Sequence, residues 1–545
     1  MKRRNFIKLS ATASATGLLP FEMKAMLKQL SLDECDFSNR KLVLIDLKGG
    51  NDGLNTIIPI NQYDTYSLLR PNIKVPNSGG NGFITLDTTL PENQQVGLNP
   101  SLSSFKSLYD QGWLRIIQSV GYPSHNRSHF ASKDIISSGN DGNSWLNGTE
   151  SGWIGRFMEL NYEDELNNSY PLAVQIGSKS ISLDLIGNHE YGMALNITGQ
   201  DLSGFYSVLS GLGGQPPQYI PNSHYGAELE YIISADNLSN LYSQSISDAF
   251  NNGSNNVSYP DTNLADQLKT VAKLISGGLN SKVYLVSISG FDTHNNQVQS
   301  AGDPIGEHYE LLTELSTAVK AFLEDLNAQG LADEVVGATY SEFGRKAAEN
   351  GNMGTDHGQV SPMFVFGKPI QAGVSGVNPD LTEASSDNNY QIGSLQYDYR
   401  KAFATIFQDF MAADLNMINS AFYNHTSDES FVESKIEGLI KDLYLVPEDC
   451  YDTISNTNIS ILEEVHFEVY PNPFQSVINI SSNSQLVDFS HYEIYSPNGQ
   501  ILLTDRIKVA NKNRLSINLT ALPSGAYVLR ILSKSNFKTF KIVKS

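Results

Sequence analysis

Cysteine is nearly absent from this chain of 545 residues: only Cys35 and Cys450 occur, with no C-x-x-C pair and no Cys/His spacing typical of structural zinc. A zinc ribbon and a disulfide-dense scaffold are thereby excluded. What remains is either one disulfide clasping the region between them, as an exported protein permits, or two unrelated thiols. Long apolar runs are missing as well, since none reaches the roughly 18 residues that a membrane-spanning helix needs. Positive charge is scarce: 37 Lys and Arg stand against 58 Asp and Glu, a net charge of −21. A field of that sign repels polyanions and argues against nucleic acid as a partner, leaving small or cation-bridged substrates.

The acidity is uneven. From His466 to Ser545 nine Lys or Arg face four acids, so this stretch carries +5 while the remainder carries −26. Such a shift marks a domain boundary. The expected division is an export signal over residues 1–25, an α/β body over 26–447, a polar linker over 448–465 and a small all-β domain over 466–545. In the signal, Lys2, Arg3 and Arg4 precede a short, Ser- and Thr-rich apolar stretch, and the RRNFIK order resembles a twin-arginine leader.

Within the body, Lys41–Leu47 (KLVLIDL) is a continuous apolar run of the kind found in parallel strands covered on both faces. It ends in Lys48-Gly49-Gly50-Asn51-Asp52-Gly53, which makes Asp52 a candidate ligand at a strand end. A helical pattern over 99–109 then leads into a strand over 113–120, the β-α-β order of an α/β domain. The next segment, GYPSHNRSHFASKDII, gathers Ser124, His125, Arg127, Ser128 and His129 at a strand exit. Ser128 at the start of a helix suits either an N-cap or a nucleophile. His125 and His129 are four apart, but His125 precedes the helix, which weakens them as a metal-binding pair. Residues 178–261 read as an insertion shaping a pocket or lid.

The chemistry concentrates between Val283 and Gly367. Two strands, Val283–Ser289 and Val335–Thr339, flank an amphipathic helix over 306–329, and a third strand follows at 363–366. Asp292, His294, Glu342, Asp356 and His357 fall at these strand ends. Carboxylates mixed with imidazoles suit zinc, manganese or iron, so a divalent metal site is expected here. Ser128 or a metal-bound water is the candidate nucleophile, and Arg127 or Arg345 the candidate neutraliser of charge on an oxyanion.

The motifs GGNDGLN, SHF, GWIGR, GFDTHNNQ, SEFGR and GTDHG, in this order, resemble the bacterial family catalogued as domain of unknown function 1501, whose members are also called sulfatase-like. The resemblance implies an alkaline-phosphatase-like, mostly parallel sheet sandwiched by helices, and a metal-dependent hydrolase acting on a phosphate or sulfate ester of a small molecule or glycan. Asp292 and His294 are similar to that superfamily's metal ligands, and Asp356 with His357 resembles its late His-bearing motif. No His follows Glu342, and this favours the competing expectation of a non-catalytic surface binding protein on the same fold. VYPNPF, IYSPNGQ and LPSGAYVLRI resemble the type A C-terminal sorting domain of the type IX secretion system, expected as a β-sandwich. This implies passage through the periplasm, contact with the export and secretion machinery, and a secreted or cell-surface destination.

Overall fold

The computed structural model describes residues 35–143, 151–187 (except 167, 179 and 180), 194–197, 242, 244–422, 435–451 (except 449), 467–482, 489–496, 501–506, 514–533 and 537–545. The leader, most of the insertion and most of the linker lie outside these residues. The chain forms two compact units, Met1–Ile454 and Ser455–Ser545.

The first unit is organised on one large sheet. Its strands are β1 (Lys41–Lys48), β2 (Leu114–Gly121), β3 (Ala173–Ile176), β4 (Ala194–Ile197), β5 (Val283–Ser289), β6 (Val335–Tyr340), β9 (Ser361–Phe366), β10 (Gly373–Ser375) and β11 (Tyr397–Asp398); β7 (Arg345–Glu349) and β8 (Thr355–His357) form a separate antiparallel hairpin. The strand order is β10-β2-β9-β6-β1-β5-β3-β4, with β11 also on β2. All pairings are parallel except those of β9, which runs against both β2 and β6.

The apolar run of β1 is explained by its position at the sheet centre, between β5 and β6. Successive side chains point to opposite faces. Val43, Ile45 and Leu47 enter one core with helices α1 (Ser103–Asp110), α4 (Asn263–Ser276) and α5 (Glu307–Ala328). Leu42 and Leu44 enter the other with α2 (His129–Ser138), α3 (Trp153–Asn161), α6 (Tyr399–Asp409) and α7 (Leu415–Ala421). Phe403, Phe407 and Phe410 of α6 are core; Phe403 and Phe407 pack at a tilt against Trp153, and Phe407 stacks on Phe157. Helices thus cover both faces of a mostly parallel sheet, the α/β class expected.

A disulfide joins Cys35 to Cys450, with Cα atoms 5.4 Å apart and 415 positions of chain between them. Around it Phe37, Ala412, Val446 and Tyr451 make a small satellite core. Among the described residues, no helix is long and apolar enough to cross a membrane.

The second unit contains two antiparallel sheets. Three strands pair in the order Phe467–Tyr470, Val477–Ser482, Arg514–Asn518, and four in the order Ile501–Arg506, Phe489–Tyr495, Gly525–Ser533, Phe537–Lys544. Ile478, Ile480 and Ile517 from the first and Ile494, Leu529 and Ile531 from the second share one core, which is the small all-β sandwich expected of this region.

Candidate metal centre

The backbone after β1 makes the site. Gly49 and Gly50 have φ of +119° and +80°, and a Cβ on Gly49 would lie 2.4 Å from the Asp292 amide nitrogen. Only glycine lets the two strand exits approach this closely. The Gly49 N–H donates to Glu342 Oε1 at 2.8 Å, tying the exits of β1 and β6 together.

Side chains of four residues border the cleft this creates, and three of them offer mutually close donor atoms. Asp292 Oδ1 lies 3.5 Å from His129 Nε2, 3.2 Å from His294 Nε2 and 3.5 Å from His357 Nε2. His129, Asp292 and His357 each offer a ligand atom within 4.8 Å of the others, and His294 Nε2 approaches His357 Nε2 to 2.9 Å. The opposite edge of every ring faces an acceptor. His129 Nδ1 meets Glu342 Oε1 at 2.9 Å, His294 Nδ1 meets Asp356 Oδ1 at 3.3 Å, and His357 Nδ1 meets the Arg127 carbonyl at 2.7 Å. Acceptors at Nδ1 favour the tautomer protonated there and leave the Nε2 lone pairs pointing inward, as in carboxylate–histidine–metal arrangements.

These residues fit a divalent metal. Donors around a tetrahedral zinc at 2.0–2.1 Å stand about 3.4 Å apart; Asp292 Oδ1 is 3.5 Å from both His129 Nε2 and His357 Nε2, and these three residues form the donor group whose atoms all lie within 4.8 Å, with His294 adjoining two of them. Imidazoles with one carboxylate also suit manganese or iron. The electrostatics pull in both directions. Burial opposes charge on Asp292, yet the Arg345 guanidinium beside it holds that carboxyl below its usual range. The hydrogen bond to Glu342 raises His129, whereas burial lowers His357.

Asp292, His294 and His357 supply donor atoms, while Glu342 and Asp356 stand behind the histidines, one shell further out than expected. His129 enters the group without His125. As expected, His125 precedes the helix, since α2 begins at His129, and the partner of the His129 ring is Glu342 at the exit of β6 rather than His125. Asp52 is not at the centre. Its fully buried carboxylate pairs with Arg70 at 2.6 Å and accepts from Gln297, because the Gly49–Gly50 turn carries it beneath the cleft. Arg345 does not face the cleft as a free cation either: it donates to the carbonyls of Gly49, Gly50, Phe291 and Thr355 and to Asp292 Oδ1. Strand β7 turns inward at this point, so the guanidinium is buried and orients Asp292. Arg127 and Ser128 are exposed, the Arg127 carbonyl anchoring His357, and the Ser128 side chain makes no capping bond to α2.

Residues 271–415 match the family model described as a protein of unknown function, DUF1501, and residues 468–545 match the secretion system C-terminal sorting domain. No curated protein matches the chain. Among solved structures, an alkaline phosphatase superfamily protein from Vibrio parahaemolyticus is similar at 8% identity over 92% of this chain and 79% of its own, with a TM-score of 0.31. The PsFucS1 sulfatase from Pseudoalteromonas sp. shows 11% identity over 91% and 86%, also at 0.31. An endoglucanase from Alicyclobacillus acidocaldarius shows 18% identity at a TM-score of 0.12, the match spanning 14% of each chain. At such scores a likeness assigns neither activity nor site residues. The sorting domain directs the chain through type IX secretion to the cell surface or the extracellular space.

Proposed function

We propose that this chain, a DUF1501 family member over residues 271–415 with a type IX sorting tail, is an exported metal-dependent hydrolase acting on a phosphate or sulfate ester. One observation carries the reading: His129, His357 and Asp292 offer donor atoms within 4.8 Å of one another, His294 Nε2 adjoins two of them, and an acceptor backs each imidazole. A divalent cation bound there supplies Lewis acidity toward an ester oxygen. The chain's own residues do the rest. His129, His357 and Asp292 would hold the ion, with His294 beside it, and Glu342, Asp356 and the Arg127 carbonyl orient the rings. Ser128, exposed beside His129, presents the hydroxyl for attack on the ester, and the exposed Arg127 side chain offers charge to the anionic group.

The test is elemental metal analysis of the parent beside His129→Ala, His294→Ala and His357→Ala, with phosphate- and sulfate-ester assays on the same samples. Near-stoichiometric metal lost in the variants supports the centre, and turnover lost in Ser128→Ala with metal retained supports the nucleophile. A parent that takes up no zinc, manganese or iron sinks the reading. The competing reading, a non-catalytic surface binding protein, draws on the single His/Asp group found among the described residues. Tight metal binding without turnover of any ester would favour it.

A further inference from the structure

Two of the loops that supply ligands are joined below the cleft by one buried side chain. Gln297 Oε1 accepts from the Thr293 hydroxyl at 3.0 Å and from the Thr355 hydroxyl at 3.0 Å. Thr293 lies between Asp292 and His294, and Thr355 precedes Asp356 and His357 by one and two positions. The backbone repeats the link, since Thr355 N–H donates to the Thr293 carbonyl at 3.1 Å and Gln297 N–H to the Met353 carbonyl at 3.0 Å. The other end of the amide, Nε2, donates to Asp52 Oδ2 at 2.5 Å.

The direction of this amide is forced. The Asp52 carboxylate, paired with Arg70 and fully buried, only accepts, so the amide nitrogen must face it and the amide oxygen must face the threonines. Both hydroxyls therefore donate to one oxygen, which fixes the separation of the two loops. Arg70 is in turn held by the Ala347 carbonyl at 2.8 Å and the Lys346 carbonyl at 2.7 Å, both on β7 of the hairpin that carries Asp356 and His357. Asp52, expected as a ligand, thus acts at one remove.

We infer that Gln297, oriented by the Asp52–Arg70 pair, is the positioning residue that sets His294 and Asp292 against His357 and so determines the affinity and geometry of the metal centre. The inference rests on the metal reading of the preceding section. Buried polar partners of this kind commonly change metal affinity by about 10–100-fold when removed.

The experiment uses the full chain, with Co²⁺ as the titrant and spectroscopic probe. Gln297→Met, close in volume and without hydrogen bonds, is compared with Thr355→Val, Thr355→Ser and the double variant Gln297→Met/Thr355→Val. Expected results are about 10–100-fold weaker Co²⁺ binding and shifted d–d bands for Gln297→Met, a smaller loss for Thr355→Val, and parent-like behaviour for Thr355→Ser. The double variant should bind no more weakly than Gln297→Met alone, because both changes act through one amide. Should Gln297→Met not fold, the contrast between Thr355→Val and Thr355→Ser decides the matter. Parent-like affinity and bands in Gln297→Met, or in Thr355→Val where that contrast decides, overturn the inference while leaving the metal centre standing. A parent that binds no Co²⁺ overturns both.

Discussion

His294 Nε2 and His357 Nε2 lie 2.9 Å apart, each on a ring whose Nδ1 already faces an acceptor. Two lone pairs brought that close repel unless a cation or proton lies between them. Metal should therefore stabilise the fold as well as complete the site. Free zinc at a thousand times its Kd is expected to add about 4 kcal/mol, read as a higher urea midpoint than the chelator-treated protein shows. In His357→Ala this increment should largely vanish.

Arg345 is expected to behave as a structural residue with a functional consequence. Its guanidinium is buried against four carbonyls and Asp292, and lysine cannot reproduce that planar fork. Arg345→Lys should cost on the order of 2–4 kcal/mol of unfolding free energy and lower metal occupancy. A variant with parent stability and impaired turnover alone would instead restore Arg345 to the role of oxyanion neutraliser.

The pH dependence has a defined sign. His308 Nε2 meets Asn51 Oδ1 at 3.0 Å in a fully buried position, and burial pulls its pKa down to about 4. Between that value and the usual 6.5, the unfolded chain takes the proton and the folded chain does not. Stability is therefore full above about pH 6.5 and declines as pH falls toward 4, by on the order of 3 kcal/mol from this group. His308→Gln should flatten that part of the profile in urea unfolding at pH 7 and pH 5. An unchanged slope would rule His308 out as its source.

Reduction should weaken the first unit. The Cys35–Cys450 bond closes a loop spanning 415 positions, and native disulfides typically contribute about 2–4 kcal/mol. The Cys35→Ala/Cys450→Ala pair should unfold at lower urea than the parent, and dithiothreitol should bring the parent to the same midpoint.

What the sequence disclosed follows from the range of the interactions involved. The run Leu42–Leu47 announced a strand covered on both faces because its neighbours are apolar throughout. Asp292, His294 and His357 come together because strand exits concentrate polar residues on one edge. Asp52 was misplaced because its partner Arg70 and the amide of Gln297 leave no periodic trace in the chain. His129 was undervalued for a similar reason: its ring is fixed by Glu342, 213 positions away. Arg345 looked available because nothing local reveals that β7 turns its side chain toward four carbonyls.

The clasp between Cys35 and Cys450 lies wholly ahead of the boundary at Ile454. Tension between the chain's two ends would therefore run through the sulfur–sulfur bond and bypass everything folded between those cysteines. A protein displayed at a cell surface and pulled by flow or by a neighbour would pass that load along its tail and across one covalent link, leaving the histidine cleft mechanically shielded.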